Sequence, residues 1–300
     1  METRSGFVVI FGKPNAGKST LLNSLLNYNL SIVNRKVQTT RDRIMGILTE
    51  ENYQIVFIDT PGILEPKYEL QNYMVSEIKT SLVEADLIIH IVDAAKVNFE
   101  DIKKVNEDYK ELLSNKKKII VLNKIDLMKK DNLLPVIQRL INEFDYDEII
   151  PVSALKKENT DELKKVILSY IPEGHFFYDK DTLTDKPEKF FVNEIIREKI
   201  LDMYHEEIPY SVMVNVTEFK ERSNDLTYIG AEITVERETQ KIIIIGNKGA
   251  NLKKLGERSR NEIEKFLNKK VYLELFVKVR KDWRNNKKFI KDKMISNNPS

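Results

Sequence analysis

The chain has 300 residues, of which 41% are hydrophobic and 32% charged, a length that suggests two domains, each able to bury a core. The absence of cysteine excludes disulfides, thiolate zinc sites and cysteine nucleophiles together. The net charge of +2 hides a segregation: residues 241–300 carry 17 Lys and Arg against 6 Asp and Glu, whereas residues 176–240 carry 8 against 15. The C-terminal stretch is therefore either a surface for an anionic polymer or a solvated lysine-rich face, and charge alone leaves both open.

The first seven residues lack the apolar core of a signal peptide, so a cytosolic protein is expected. No stretch approaches the ~20 apolar residues of a spanning helix, so any membrane contact is expected to be peripheral. Five short apolar runs follow in the first half: Phe7 to Phe11, Ile55 to Ile58, Leu87 to Val92, Lys118 to Leu122 and Glu148 to Val152. Each precedes a helix-like segment, the pattern of strands covered on both faces. This predicts an α/β domain with a doubly wound, mostly parallel sheet. A hairpin is expected over Ile44 to Ile58, turning at Glu50, Glu51 and Asn52. Leu70, Met74, Ile78 and Leu82 recur every four residues, which predicts a helix packed on the sheet.

Within that frame, Gly12, Lys13, Pro14, Asn15, Ala16, Gly17, Lys18 and Ser19 fit the phosphate-binding loop G-x-x-x-x-G-K-[ST], placed after a strand and before a helix. Its amides would face phosphates, Lys18 would reach the terminal ones and Ser19 would bind Mg²⁺. The loop does not choose between ATP and GTP. Asn123, Lys124, Ile125 and Asp126 make that choice, because one carboxylate at Asp126 can accept from both the ring N1 and the exocyclic amine of guanine. Asp59, Thr60, Pro61, Gly62 and Ile63 close another strand, where Asp59 would hold a metal-bound water and the Gly62 amide would sense the γ-phosphate. Thr40, in the polar loop Gln38 to Asp42, is expected to complete the Mg²⁺ shell. The predicted enzyme hydrolyses GTP to GDP and phosphate. Isoleucine at position 63 cannot orient a water as a glutamine would there, so slow intrinsic turnover is expected.

Beyond Pro172 the periodicity weakens, and Tyr178 to Lys189 reads as a linker. A helix is then expected over Phe190 to Tyr204, an antiparallel strand pair over Ser211 to Phe219 and Thr227 to Val235, a helix over Asn251 to Leu267 and a strand over Val271 to Val279, an α+β half. Local propensity makes Lys241 to Ile245 a strand. Gly246 and Gly249 are by themselves only a turn signal; Lys241, Lys248, Lys253, Lys254, Arg258 and Arg260 around them point to nucleic acid. His90, His175 and His205 are too scattered for a metal site, and Trp283 is expected to pack the final segment.

The motifs GKPNAGKST (12–20), QTTRDRI (38–44), DTPGI (59–63), NKID (123–126) and SAL (153–155) together resemble the TrmE-Era-EngA class of GTPases. The stretches FFVNEIIREKI (190–200), IIGNKG (244–249) and LELFVKVRKDWR (273–284) are similar to the C-terminal domain of the Era family. That resemblance implies base contact from Ser153 and Ala154, and Lys18, Thr40, Gly62 and Asn15 as catalytic residues. Asn15 would act by helping to hold a K⁺ ion against the phosphates. It also implies a type II KH domain in which Gly246, Asn247, Lys248 and Gly249 join two helices and clamp RNA, so that Lys241 to Ile245 becomes a helix. Lys241, Lys253, Lys254 and Arg260 would support the clamp. The implied boundaries are 1–172 for the GTPase domain, 173–189 for a linker, 190–284 for the KH domain and 285–300 for a basic tail. The implied partner of a monomeric protein is the 3′ end of 16S ribosomal RNA in the maturing 30S subunit. An alternative is a membrane-associated regulatory GTPase whose basic half meets anionic lipid. The tRNA-modifying members of the class carry a C-terminal cysteine, which this chain lacks.

Overall fold

The computed structural model describes residues 3–34, 36, 38–223 and 225–295. The chain folds as two compact units, Met1–Pro66 with Gln71–Asp185, and Lys67–Leu70 with Lys186–Ser300. The first runs β1 (Arg4–Phe11), α1 (Lys18–Leu26), β2 (Ile44–Thr49), β3 (Tyr53–Asp59), α2 (Glu69–Glu84), β4 (Leu87–Asp93), α3 (Phe99–Asp108), the single turn α4 (Lys110–Leu113), β5 (Lys117–Asn123), α5 (Leu133–Glu143), β6 (Glu148–Val152) and α6 (Thr160–Tyr170).

Its six strands lie in the order β2-β3-β1-β4-β5-β6. All neighbours are parallel except β2 and β3, which form the expected hairpin with Ile44 opposite Asp59. The central stretches of the parallel strands are mostly apolar because neither face meets water there: Val8, Val9, Ile10, Ile88, Ile89, Ile119 and Ile120 are all fully buried. The stripe Leu70, Met74, Ile78 and Leu82 is likewise fully buried along α2. Parallel order brings the C-terminal ends of β1, β3, β4, β5 and β6 to one edge of the sheet, where ligands of open α/β sheets bind.

Residues 173–185, inside the stretch expected to be a linker, are tied to this unit by hydrogen bonds. Gly174 N donates to Thr3 O at 3.0 Å and Ser5 Oγ to His175 O at 2.6 Å. The amide of Gln54, fully buried in β3, accepts from Phe177 N and Tyr178 N and donates to Tyr178 O. Ile47 N, on the free edge of β2, donates to Leu183 O at 2.8 Å. The segment is held by its backbone and by two adjacent aromatic side chains, Phe177 with its ring centre 4.8 Å from that of Phe7 and Tyr178 against the sheet core, attachments too few to give a hydrophobic period.

The second unit runs α7 (Glu188–Met203), β7 (Met213–Ser223), β8 (Leu226–Val235), α8 (Glu238–Ile245), α9 (Ala250–Leu267), β9 (Lys270–Val279) and α10 (Lys287–Ile295). Its sheet has the order β7-β8-β9, with β7 antiparallel and β9 parallel to β8. Ile196, Ile200, Ile229, Ile233, Ile244, Leu255 and Ile263 share one core. The propensity for a strand at Lys241 to Ile245 is overridden, since this segment is most of α8. Gln240 Oε1 caps its start by accepting from Glu236 N and Arg237 N, Ile244 is buried, and Tyr204 Oη donates to Ile244 O at 3.0 Å. Trp283 is fully buried and its Nε1 donates to Ser211 O at 3.1 Å. Part of the expected basic tail is the helix α10, which buries Phe289, Ile290 and Met294; residues 296–300 lie outside the described residues.

His90, in β4, is 3% exposed and packs against Phe11 with ring centres 4.8 Å apart and planes tilted by 37°. Asn106 Nδ2 donates to Tyr146 Oη, which lies 2.6 Å from His90 Nδ1. Burial, reinforced by the charge of Lys18, lowers the imidazole pKa from 6.5 to about 3. The unfolded chain therefore takes up a proton below pH 6.5 that the folded chain refuses, so this contribution to stability is complete above pH 6.5 and is lost as pH falls toward 3. At pH 5 the gap of about 1.5 units corresponds to ~2 kcal/mol. Urea unfolding at pH 7 and pH 5 should show the native protein losing about 2 kcal/mol more than a His90→Gln variant between the two.

Candidate functional site

The turn from β1 into α1 is shaped by Asn15 and Gly17, whose φ angles are 63° and 101°. A Cβ on Gly17 would lie 2.2 Å from Asn123 Nδ2, so only glycine allows this approach. Asn123, 2% exposed at the end of β5, ties three loops together. Its Nδ2 donates to Ala16 O at 2.8 Å and its Oδ1 accepts from Ala154 N at 2.9 Å. Lys124 Nζ donates to Asn15 O and pairs with Asp93 at 2.7 Å. Asp126 Oδ1 accepts from Ser153 Oγ at 2.6 Å, so the loop after β6 orients this carboxylate.

At the other end of the loop, Lys18 is 6% exposed, and its Nζ donates to Gly12 O and Lys13 O at 3.1 and 3.0 Å. Burial lowers its pKa to about 8 against the opposing pull of Asp59. Asp59, fully buried at the end of β3, has its pKa raised by burial, while Lys18 and three hydroxyls oppose that rise. Its Oδ2 accepts from Ser19 Oγ at 2.6 Å, Ser31 Oγ at 3.2 Å and Thr40 Oγ1 at 3.5 Å. Thr40 Oγ1 also lies 3.0 Å from Ser19 Oγ, whereas Thr39 Oγ1 turns away to Lys36 O. Asp59 Oδ1 is buried without a hydrogen-bond partner. An all-oxygen set with an unsatisfied carboxylate oxygen fits a hard divalent cation that keeps waters, as Mg²⁺ does.

Thr60 Oγ1 donates to Ile10 O and Ile63 N to Gly12 O, which lays the segment after β3 across the loop, with Gly62 against Pro14. Pro14, Asn15, Gly17, Lys18, Ser19, Thr40 and Gly62 line one cleft, joined by Ile32 to Asn34 and Gln38. Lys124, Ile125, Asp126 and Ser153 do not line it and stand on the neighbouring strand ends. Ser31 and Asn23, which holds it, lie outside the motifs and escaped the sequence reading.

In the second unit, Gly246 to Gly249 turns between α8 and α9, with Lys248 at φ 49° and Gly249 at φ 80°. A Cβ on Gly246 would strike Asn251 at 2.6 Å, but one on Gly249 would meet nothing within 4 Å. A cleft of about 380 Å³ opens beside the turn, lined by Gly249, Leu252, Lys253, Gly256, Glu257, Arg260, Leu273 and Leu275. Lys253 and Arg260 thus reach the cleft, while Lys241 and Lys254 are not part of its lining. The apolar wall from β9 and Gly256 were not anticipated. Glycine inside a helix costs ~1 kcal/mol, which was the available signal. A Cβ there would sit 3.8 Å from Leu275, an ordinary contact, so packing does not demand the glycine.

Family models match both units: a 50S ribosome-binding GTPase over residues 7–124 and a KH domain over residues 207–284. Among solved structures, the chain is similar to Era in complex with MgGDPNP and nucleotides 1506–1542 of 16S ribosomal RNA. The identity is 43%, the match covers 96% of this chain and 98% of that one, and the TM-score is 0.92. The chain belongs to the Era family. An Aquifex aeolicus Era variant bound to GDP.AlF4- gives 43% identity over the same shares with a TM-score of 0.91. Like other Era proteins, this chain is a GTPase with a KH domain. Among the described residues, no helix is long and apolar enough to cross a membrane.

Proposed function

We propose that this Era-family chain is a GTP-hydrolysing switch that binds the 3′ end of 16S ribosomal RNA and acts in maturation of the 30S subunit in the cytoplasm. The observation that carries this is the similarity, along both units, to an Era structure that holds a GTP analogue with Mg²⁺ and a 16S fragment together.

In this scheme the amides of Gly12 to Ser19 and the Lys18 ammonium receive the phosphates, and Ser19, Thr40 and Asp59 are the residues that would hold Mg²⁺. The ion supplies positive charge where the phosphates develop negative charge. Asp126, oriented by Ser153, reads guanine, and the loop of Ser153 and Ala154, held to Asn123 through the Ala154 amide, flanks the base. Asn123 braces the phosphate loop against the base-reading loops. Ile63 offers no group to a water and is partly buried in the sheet core, consistent with slow intrinsic turnover. Asn15, at the rim of the loop, is the residue that would hold K⁺ beside the phosphates. In the KH domain the turn at Gly246 to Gly249 admits an RNA backbone, Lys253 and Arg260 meet its phosphates, and Leu252, Leu273 and Leu275 face the bases.

Four measurements test these roles. Asp126→Asn should move preference from GTP to xanthosine triphosphate, whose ring carries an acceptor in place of the amine; competition binding reads the outcome. Turnover with RNA present should be faster in K⁺ than in Na⁺ at matched ionic strength, and Asn15→Ala should remove the difference. Single-stranded 16S RNA should bind the form carrying a non-hydrolysable GTP analogue more tightly than the GDP form. The expected coupling is ~1–3 kcal/mol at one fixed salt concentration, reciprocated as tighter GTP binding with RNA present. Gly249→Asp should abolish RNA binding while leaving GTP affinity of the free protein unchanged, because a carboxylate at the turn would repel a phosphate backbone; a Cβ there meets nothing within 4 Å, so the cost to the fold is the local strain of a side chain at φ 80°.

A further inference from the structure

We propose that Ser31, fixed by Asn23, is a positioning residue that presets the Asp59 carboxylate for its divalent cation, and this rests on the assignment of Asp59 to Mg²⁺ above. Three hydroxyls converge on Asp59 Oδ2, but they are held by different parts of the chain. Ser19 sits in the phosphate loop and Thr40 in the loop leading to β2, and both are themselves assigned to the cation. Ser31 is not.

The backbone of Ser31 is fastened to α1 by a single side chain. Asn23 Nδ2 donates to Ser31 O at 2.8 Å, and Asn23 Oδ1 accepts from Leu30 N and Ser31 N, both at 2.9 Å. An amide that fills donor and acceptor roles at once leaves this stretch little freedom to shift. Ser31 is 5% exposed and Leu30 6%, so neither has water as an alternative partner. Ser31 Oγ then donates to Asp59 Oδ2 at 3.2 Å.

The result is an asymmetric carboxylate. Oδ2 is occupied by donors, and Oδ1 is buried with no partner, left for the cation or its waters. Hydrogen bonds to ligating carboxylates orient them, and loss of such a partner typically costs about 10- to 100-fold in metal affinity. Ser31 stands near the start of the connection that also carries Thr40, but it is fastened to α1, so its hold on Asp59 does not depend on where Thr40 lies.

The test separates metal binding from nucleotide binding. GDP affinity and release are measured on the full-length protein across a Mg²⁺ titration and again in excess chelator. Ser31→Ala is expected to raise the Mg²⁺ midpoint about tenfold while leaving metal-free GDP affinity at the native value, and Asn23→Ala should do the same. Mn²⁺ in place of Mg²⁺ allows the metal affinity to be read directly by paramagnetic resonance. An unchanged midpoint in Ser31→Ala overturns the proposal, as does an equal loss of GDP affinity with and without metal, which would mark a purely structural role. A native midpoint in Asn23→Ala overturns the anchoring part. Asp59→Asn is the control. If it leaves the Mg²⁺ dependence intact, the metal assignment itself fails; if it abolishes that dependence while Ser31→Ala does not alter it, only the present inference fails.

Discussion

Two opposite charges taken out of water under the phosphate loop are the constraint around which the first unit is built. Asp59 is fully buried and Lys18 nearly so, and an isolated charge in such a place costs several kcal/mol. Neither is left isolated. Lys18 donates its protons to the carbonyls of Gly12 and Lys13, and Asp59 draws on one hydroxyl from the start of α1 and two from the connection between α1 and β2. Those partners can converge only where several strands end together, which the parallel order of the sheet provides. The same arrangement leaves one carboxylate oxygen without a partner, and burial lowers the lysine pKa, so the pair favours the arrival of a cation and an anion together. A nucleotide triphosphate with its metal supplies the two at once.

Legibility of this architecture from sequence followed the physics of each part. Strands such as Leu87 to Val92 were readable because burial on both faces forces continuous hydrophobicity. The phosphate loop, DTPG and NKID were readable because they pack several chemical requirements into four to eight adjacent positions. Ser31 and Asn23 were not, since a serine after a helix and an asparagine within one are ordinary residues until the chain folds them against Asp59. Gln54 escaped for a similar reason: a buried glutamine looks like a flaw in an apolar strand until its amide is seen to hold residues 177 and 178. The α8 segment misled propensity outright, because four consecutive isoleucines favour a strand locally. The fold buries Ile244 and leaves Ile242 and Ile243 in water.

The second unit divides its labour differently. In the proposed RNA-binding role, affinity for a backbone would come from the turn and from cations around it, whose long-range attraction is not sequence-selective. Discrimination would fall to the wall of the cleft, which Leu252, Leu273 and Leu275 line. The lysine-rich composition of residues 241–300 therefore described the less selective half of the site. Lys254 is as charged as Lys253 yet absent from the cleft lining, which helical geometry decides and composition does not.

Trp283 carries one more consequence. It is the only tryptophan in the chain, it belongs to the second unit, and its indole is fully buried with Nε1 bonded to a backbone carbonyl. Ultraviolet emission excited at the red edge of protein absorption therefore originates in that unit alone, and the nucleotide-binding unit is dark at those wavelengths. The molecule carries a built-in optical label, so melting of one unit can be followed in the intact protein without attaching a dye or cutting the chain.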